Sequence, residues 1–164
     1  MSESRYLSRD KLLFTPGPLT TTLNVKAAML RDYGSRSPEF VQAIKEIRQG
    51  LLTVGQVTNQ NYTCIIMQGS GTFGVEAIFN SSIANNQKVL ILENGAYGKR
   101  MAKICDYQKL PYAVLSFSET EKVNIEKVQS YLKSNPGFTH LACIHCETTT
   151  GMINPAVEIG KLAK

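Results

Sequence analysis

The chain has 164 residues, 43% hydrophobic and 19% charged, a balance that excludes a disordered chain and suits one folded domain. Its net charge of +5 comes from Lys and Arg scattered along the sequence, which argues against a nucleic-acid role and suits small anionic ligands. No stretch reaches the length of a membrane span, Met1 to Asp10 lacks the apolar centre of a signal peptide, and the four cysteines read as free thiols, so a cytoplasmic protein is expected.

A polar leader occupies residues 1–10. Lys11 to Phe14 then runs into Thr15–Pro16–Gly17–Pro18, and two prolines around a glycine predict an extended arm ending in a fixed turn. A short helix is predicted over Asn24–Arg31. Ser37–Pro38 reads as a helix N-cap and first helical position. From Phe40 through Val41, Ile44, Ile47, Leu51 and Val54 the apolar residues recur at helical spacing, predicting a long amphipathic helix. Arm and helices together are expected over residues 11–60, and a larger domain over residues 61–164.

Tyr62 to Met67 is a short apolar run rich in β-formers and predicts a buried strand. Gly69–Ser70–Gly71–Thr72 follows, then a helix carrying Val75, Ile78, Phe79 and Ile83. Lys88 to Leu92 predicts a second strand, closed by Asn94–Gly95. A helix from Tyr97 to Tyr107 leads to a third strand over Tyr112–Leu115. Asn124 caps a helix ending near Ser134, and Asn135–Pro136–Gly137 makes a turn. Thr139 to His145 is the fourth strand, and Asn154–Pro155 opens a last helix. This alternation predicts βαβ units with right-handed crossovers, and so an α/β fold with a mostly parallel sheet in a three-layer αβα arrangement. The last helix, Ala156 to Lys164, has an apolar face with no later strand for it to cover, which reads as a domain cut in mid-fold; a terminal helix is the alternative.

Three polar clusters follow predicted strands, where ligands collect in open α/β sheets. In Gln68–Gly69–Ser70–Gly71–Thr72 the glycines allow close backbone approach, the helix N-terminus offers unpaired N–H groups, and two hydroxyls add donors. That composition suits a phosphate, although no Gly–Lys–Ser/Thr follows as in a P-loop, and a ligand-free tight turn is the alternative. In Asn94–Gly95–Ala96–Tyr97–Gly98, Tyr97 could lay its ring on a flat ligand or be an ordinary half-exposed tyrosine. His145–Cys146–Glu147–Thr148–Thr149–Thr150–Gly151 gathers hydroxyls and a carboxylate, with His145 more often structural and Glu147 expected to be paired or capping. Cys143 and Cys146 lack the second pair a zinc site needs, so no metal is expected.

Together these segments resemble the 2-aminoethylphosphonate–pyruvate transaminases, in the class V branch of fold-type I pyridoxal-phosphate enzymes. The resemblance rests on residues 12–21 (Leu-Leu-Phe-Thr-Pro-Gly-Pro-Leu-Thr-Thr), Gly34–Ser35–Arg36, residues 68–72, Glu76–Ala77, residues 94–98, residues 147–152 and Asn154–Pro155, in the family's order. It implies an incomplete pyridoxal-phosphate-binding large domain over residues 61–164. Ser70, Gly71 and Thr72 would hold the cofactor phosphate, Tyr97 would stack on the pyridine ring, and Thr148 would bond the ring or its phenolic oxygen. Pro16, Gly17 and Arg36 would approach the substrate's anionic groups. The implied reaction moves an amino group from 2-aminoethylphosphonate to pyruvate, giving phosphonoacetaldehyde and alanine, in a homodimer.

The chain departs from the family at one point. Its only aspartates, Asp10, Asp32 and Asp106, precede the Thr148 loop, whereas the family's ring-pairing aspartate and Schiff-base lysine come after it. The polypeptide alone is therefore expected to lack the catalytic lysine and to be inactive. A split subunit that needs a partner chain, and an unrelated phosphate-binding module, are the alternatives.

Overall fold

Capping side chains set where the helices begin. In the computed structural model, which describes residues 11–15 and 17–163, Ser37 Oγ accepts the Phe40 N–H at 3.3 Å and Asn124 Oδ1 accepts the Lys127 N–H at 2.7 Å. Each satisfies one N–H that the first helical turn leaves without a partner. The helices α2 (Pro38–Val54) and α5 (Ile125–Ser134) start where the sequence placed them. The chain divides into two compact units, Met1–Gln68 and Gly69–Lys164. The polar leader and Pro16 lie outside the described residues.

In the first unit, a loop over residues 11–20 is closed by Thr20. Its hydroxyl donates to Lys11 O at 2.6 Å and accepts the Leu13 N–H at 2.8 Å, while Thr15 donates to Pro18 O at 2.7 Å. Helix α1 (Leu23–Ala28) is shorter than the expected Asn24–Arg31. Met29 and Leu30 instead donate to Lys26 O and Ala27 O, three residues back, which tightens the end into a turn. On α2 only Leu52 is buried, and Val41, Ile47, Leu51 and Val54 all remain exposed.

The expected buried strand over Tyr62–Met67 does not form. The segment is unpaired and mostly exposed, with Ile65 77% and Met67 51% accessible. A strand needs a neighbour to take up its N–H and C=O groups, and no described segment supplies one, so apolar β-formers alone leave it as coil.

The second unit is built on a parallel sheet in the order β2-β1-β3. Strand β1 (Val89–Glu93) lies between β2 (Tyr112–Ser116) and β3 (His140–Cys143), with Val89 opposite both Tyr112 and His140. A central parallel strand is covered on both faces, which explains the unbroken run Val89–Leu90–Ile91–Leu92. Val89 and Ile91 pack with Phe79 and Ile83 and with Met101, Ile104 and Cys105, on the side of α3 (Gly71–Ser82) and α4 (Ala96–Gln108). Leu90 and Leu92 pack with Val128 of α5 and Ile159 of α6 (Ala156–Leu162). The result is the expected αβα layering.

Strand β3 ends at Cys143, short of the expected His145, because the chain turns into a small antiparallel hairpin. Strands β4 (Cys146–Glu147) and β5 (Met152–Ile153) pair there. Its turn closes with the Gly151 N–H donating to Glu147 O at 2.7 Å. Gly151 has φ +71°, a left-handed conformation that glycine adopts without steric cost.

Two buried asparagines tie this hairpin to the sheet. Asn154 Nδ2 donates to Asn94 Oδ1 at 2.9 Å and Asn94 Nδ2 donates to Asn154 Oδ1 at 2.9 Å. Asn154 also donates to Ile144 O at 2.8 Å and accepts the Val123 N–H at 3.1 Å, and Asn94 donates to Glu121 O at 3.0 Å. Asn154→Ala strands several buried polar groups at once and should cost about 2–4 kcal/mol, read as a lower urea midpoint at unchanged m-value.

Candidate functional site

At the start of α3, Ser70 is the N-cap and its Oγ accepts the Phe73 N–H at 3.3 Å. The amides of Gly71 and Thr72 occupy the first helical positions, where no intrahelical acceptor exists. A Cβ built on Gly71 would meet nothing within 4 Å, so the space beside these donors is open. Exposed N–H groups at the positive end of a helix dipole attract an anion, and the Thr72 hydroxyl adds a further group able to donate.

Thr72 is linked to the second loop through Arg100. Arg100 Nη1 donates to Thr72 Oγ1 at 3.2 Å, and the guanidinium carbon lies 4.7 Å from the centre of the Tyr97 ring. Tyr97 sits in the first turn of α4 and is half-buried.

Tyr97 is linked in turn to the third loop through Glu147. The Tyr97 N–H points to Glu147 Oε1 at 3.4 Å, and the Thr149 hydroxyl donates to the same oxygen at 3.0 Å. Glu147 is fully buried, and its Oε2 has no hydrogen-bond partner among the described residues. Its carboxylate therefore caps α4 from another segment, with negative charge at the positive end of the helix. The carboxylate reaches that position because residue 95 is glycine: a Cβ there would lie 2.5 Å from Glu147 Cδ. The expected capping role of Glu147 is the one observed.

Thr148 is exposed in the turn between β4 and β5, and its hydroxyl makes no hydrogen bond among the described residues. Gly17 and Arg36 are exposed in the first unit. The second unit thus joins the Ser70–Thr72, Tyr97 and Glu147–Thr149 loops into one continuous cluster. Sequence reasoning missed Arg100, although its place three residues after Tyr97 on a helix puts the two side chains on one face. It also read Asn94 and Asn154 as a turn and a helix start, when they are partners.

Lys99 is the basic residue next along α4. Its Nζ pairs with Glu119 Oε1 at 3.0 Å, and the Glu119 hydrogen bond and charge, with smaller help from Glu93 and Glu147, hold its ammonium above the usual range. Burial, followed by the charge of Asp106, pushes the Cys105 thiol up to about 11, and burial also raises Cys143. Cys146 is exposed and Cys64 half-buried. Among the described residues no three His, Cys, Asp or Glu side chains converge as metal ligands.

An αβα unit whose polar loops meet beyond the carboxyl ends of a parallel sheet belongs to the open α/β class, in which that edge is the usual place for a ligand. Residues 20–164 match the family model described as aminotransferase class-V, and the chain belongs to that family. It is 48% identical over 157 residues to a 2-aminoethylphosphonate–pyruvate transaminase of Phocaeicola vulgatus, a match covering 95% of this chain and 43% of that protein. A Bacillus cereus protein of the same name is 42% identical over 164 residues, covering 100% of this chain and 46% of the relative. The chain thus spans less than half the length of these relatives. A solved pyridoxamine-pyruvate aminotransferase of Mesorhizobium loti shares the fold with a TM-score of 0.81 at 24% identity, over 97% of this chain and 41% of that one.

Two outcomes follow from this geometry. Gly95→Ala should destabilise the unit by about 2 kcal/mol or more through the Glu147 overlap, while Gly71→Ala should change stability by less than about 1 kcal/mol; urea unfolding compares them. The raised Cys105 value favours the folded state only while the thiol is protonated. Its contribution is complete below the ordinary value of 9.0 and is lost as the pH rises through about 11. Unfolding midpoints across that window should fall, and fall less in Cys105→Ala.

Proposed function

We propose that the loop cluster of the second unit holds pyridoxal 5'-phosphate, as part of an enzyme that transfers the amino group of 2-aminoethylphosphonate to pyruvate. The observation that carries this reading is the continuous link Thr72–Arg100–Tyr97–Glu147–Thr149, which gathers phosphate donors and an aromatic ring at one sheet edge. The residues fit the group: open space beside the Gly71 and Thr72 amides suits a phosphate, and a half-buried Tyr97 suits a flat ring. The named transaminases at 42% and 48% identity support the choice of donor and acceptor.

In this reading Ser70, Gly71 and Thr72 hold the phosphate, Tyr97 orients the ring, and Thr148 bonds the ring or its phenolic oxygen. The resemblance would give the substrate's anionic groups to Pro16, Gly17 and Arg36; Gly17 and Arg36 are exposed in the first unit, and Pro16 lies outside the described residues. The working assembly is a cytoplasmic homodimer. When bound, the cofactor supplies the electron sink for amino transfer.

Lys99 does not supply the nucleophile. A Schiff-base lysine needs a lowered pKa to present a neutral amine, whereas Lys99, on the helix that carries Tyr97, is held charged by Glu119. In this reading the Schiff-base lysine is not among the residues of this cluster, and this chain alone binds the cofactor without turning over.

Titration of the purified chain with pyridoxal 5'-phosphate, followed by absorbance, tests the site. Saturable binding is expected, and Thr72→Ala should weaken it roughly fivefold to tenfold, the scale of one hydrogen bond to a charged group. Absence of saturable binding would remove the cofactor reading. Alanine formed from 2-aminoethylphosphonate and pyruvate by this chain alone would overturn the assignment of the lysine.

A further inference from the structure

Arg100 lies between two groups assigned to the cofactor site. Its guanidinium reaches the Thr72 hydroxyl at one end and rests over the Tyr97 ring. It pairs with no carboxylate among the described residues, whereas Lys99, next to it on α4, is committed to Glu119. Thr72 and Arg100 also line a cleft of about 330 Å³ between α3 and α4, where Lys103 adds a second cation and Glu76 the one carboxylate. The wall of this cleft is fixed by Gln108, whose Nε2 donates to Glu76 O at 2.9 Å and so ties α4 to α3.

A planar guanidinium is suited to this double task, because it donates in its plane and stacks with its face. An ammonium in its place would keep the charge but not the fixed fork. The hydroxyl of Thr72 rotates freely unless something orients it, and a bond received from Arg100 leaves its proton available to another acceptor.

We propose that Arg100 is a positioning residue of the cofactor site, one that fixes the Thr72 hydroxyl and the Tyr97 ring relative to each other and biases the loop toward a phosphate-bearing ligand. The proposal rests on the reading of Ser70–Thr72 as the phosphate cradle. Its charge acts at short range through the open α3 N-terminus, so it favours the doubly charged phosphate over a neutral group of the same shape.

The test compares pyridoxal 5'-phosphate with pyridoxal, which carries the ring and aldehyde without the phosphate. Dissociation constants for both are measured on the unsubstituted chain, Arg100→Gln and Arg100→Lys, with circular dichroism as the fold control. Arg100→Gln should weaken pyridoxal 5'-phosphate roughly tenfold and pyridoxal by no more than about threefold, and Arg100→Lys should recover part of the phosphate preference. Raised salt should erode the preference of the unsubstituted chain more than that of Arg100→Gln. Equal losses for both ligands, an unchanged affinity for the phosphorylated one, or loss of the folded signal in both variants would overturn the proposal and leave Arg100 a structural residue. If the unsubstituted chain binds pyridoxal 5'-phosphate and the variants match it, the inference alone fails. If the unsubstituted chain does not bind it, the cofactor reading fails and takes the inference with it.

Discussion

The reciprocal amide pair of Asn94 and Asn154 is the constraint on which the sheet edge depends. An asparagine side chain offers two donors and two acceptor sites, and Asn154 uses all four: toward Asn94 twice, toward Ile144 O, and from the Val123 N–H. Both residues are 1% exposed, so none of these bonds competes with bulk water. A fully satisfied buried polar network stabilises one arrangement, whereas an apolar pair of the same size would tolerate several. The pair therefore does more than add stability. It fixes the segment after β1, the approach to α5, the end of β3 and the start of α6 to one another.

That frame explains how a buried carboxylate can stand where Glu147 does. Removing a charge from water is costly unless the surroundings replace its hydration. Here part of the replacement comes from the start of α4, whose dipole and Tyr97 N–H face Oε1, and from the Thr149 hydroxyl, while Oε2 has no partner among the described residues. The side chain reaches that position only because the β4–β5 hairpin is held against the loop after β1 and because Gly95 has no Cβ to displace it. A cap supplied from a distant segment joins the two local structures more firmly than a cap from within the helix. Tyr97 inherits its place from that junction, since its own N–H is the capped group.

The features legible in the sequence are those decided locally. Ser37 and Asn124 cap their helices because a side-chain oxygen reaches an amide three residues ahead, a relation that spacing alone reveals. The strand Val89–Glu93 was legible because burial on both faces demands an unbroken apolar run. Tyr62–Met67 carried the same signal and is not a strand, because pairing depends on a neighbour and not on the residues themselves. The hairpin after Glu147 was missed since its strands are two residues each, too short for any alternation to register. Within the candidate site, Ser70, Thr72 and Tyr97 were visible as loop chemistry after predicted strands. Arg100 was not, because a charged residue on a helix reads as solvated surface until the fold shows what lies beside it.

The cluster also separates two kinds of selectivity. Backbone amides at a helix start, a hydroxyl and an aromatic face recognise a phosphorylated ring whatever amine or keto acid accompanies it. Such a cradle is compatible with many substrates. Discrimination among amino donors must come from groups that meet the far end of the substrate. A phosphonate differs from a carboxylate in carrying more charge and three acceptor oxygens, so selectivity for it requires additional cations with forked donors. In the proposed reading that part falls to Arg36, which is exposed in the first unit.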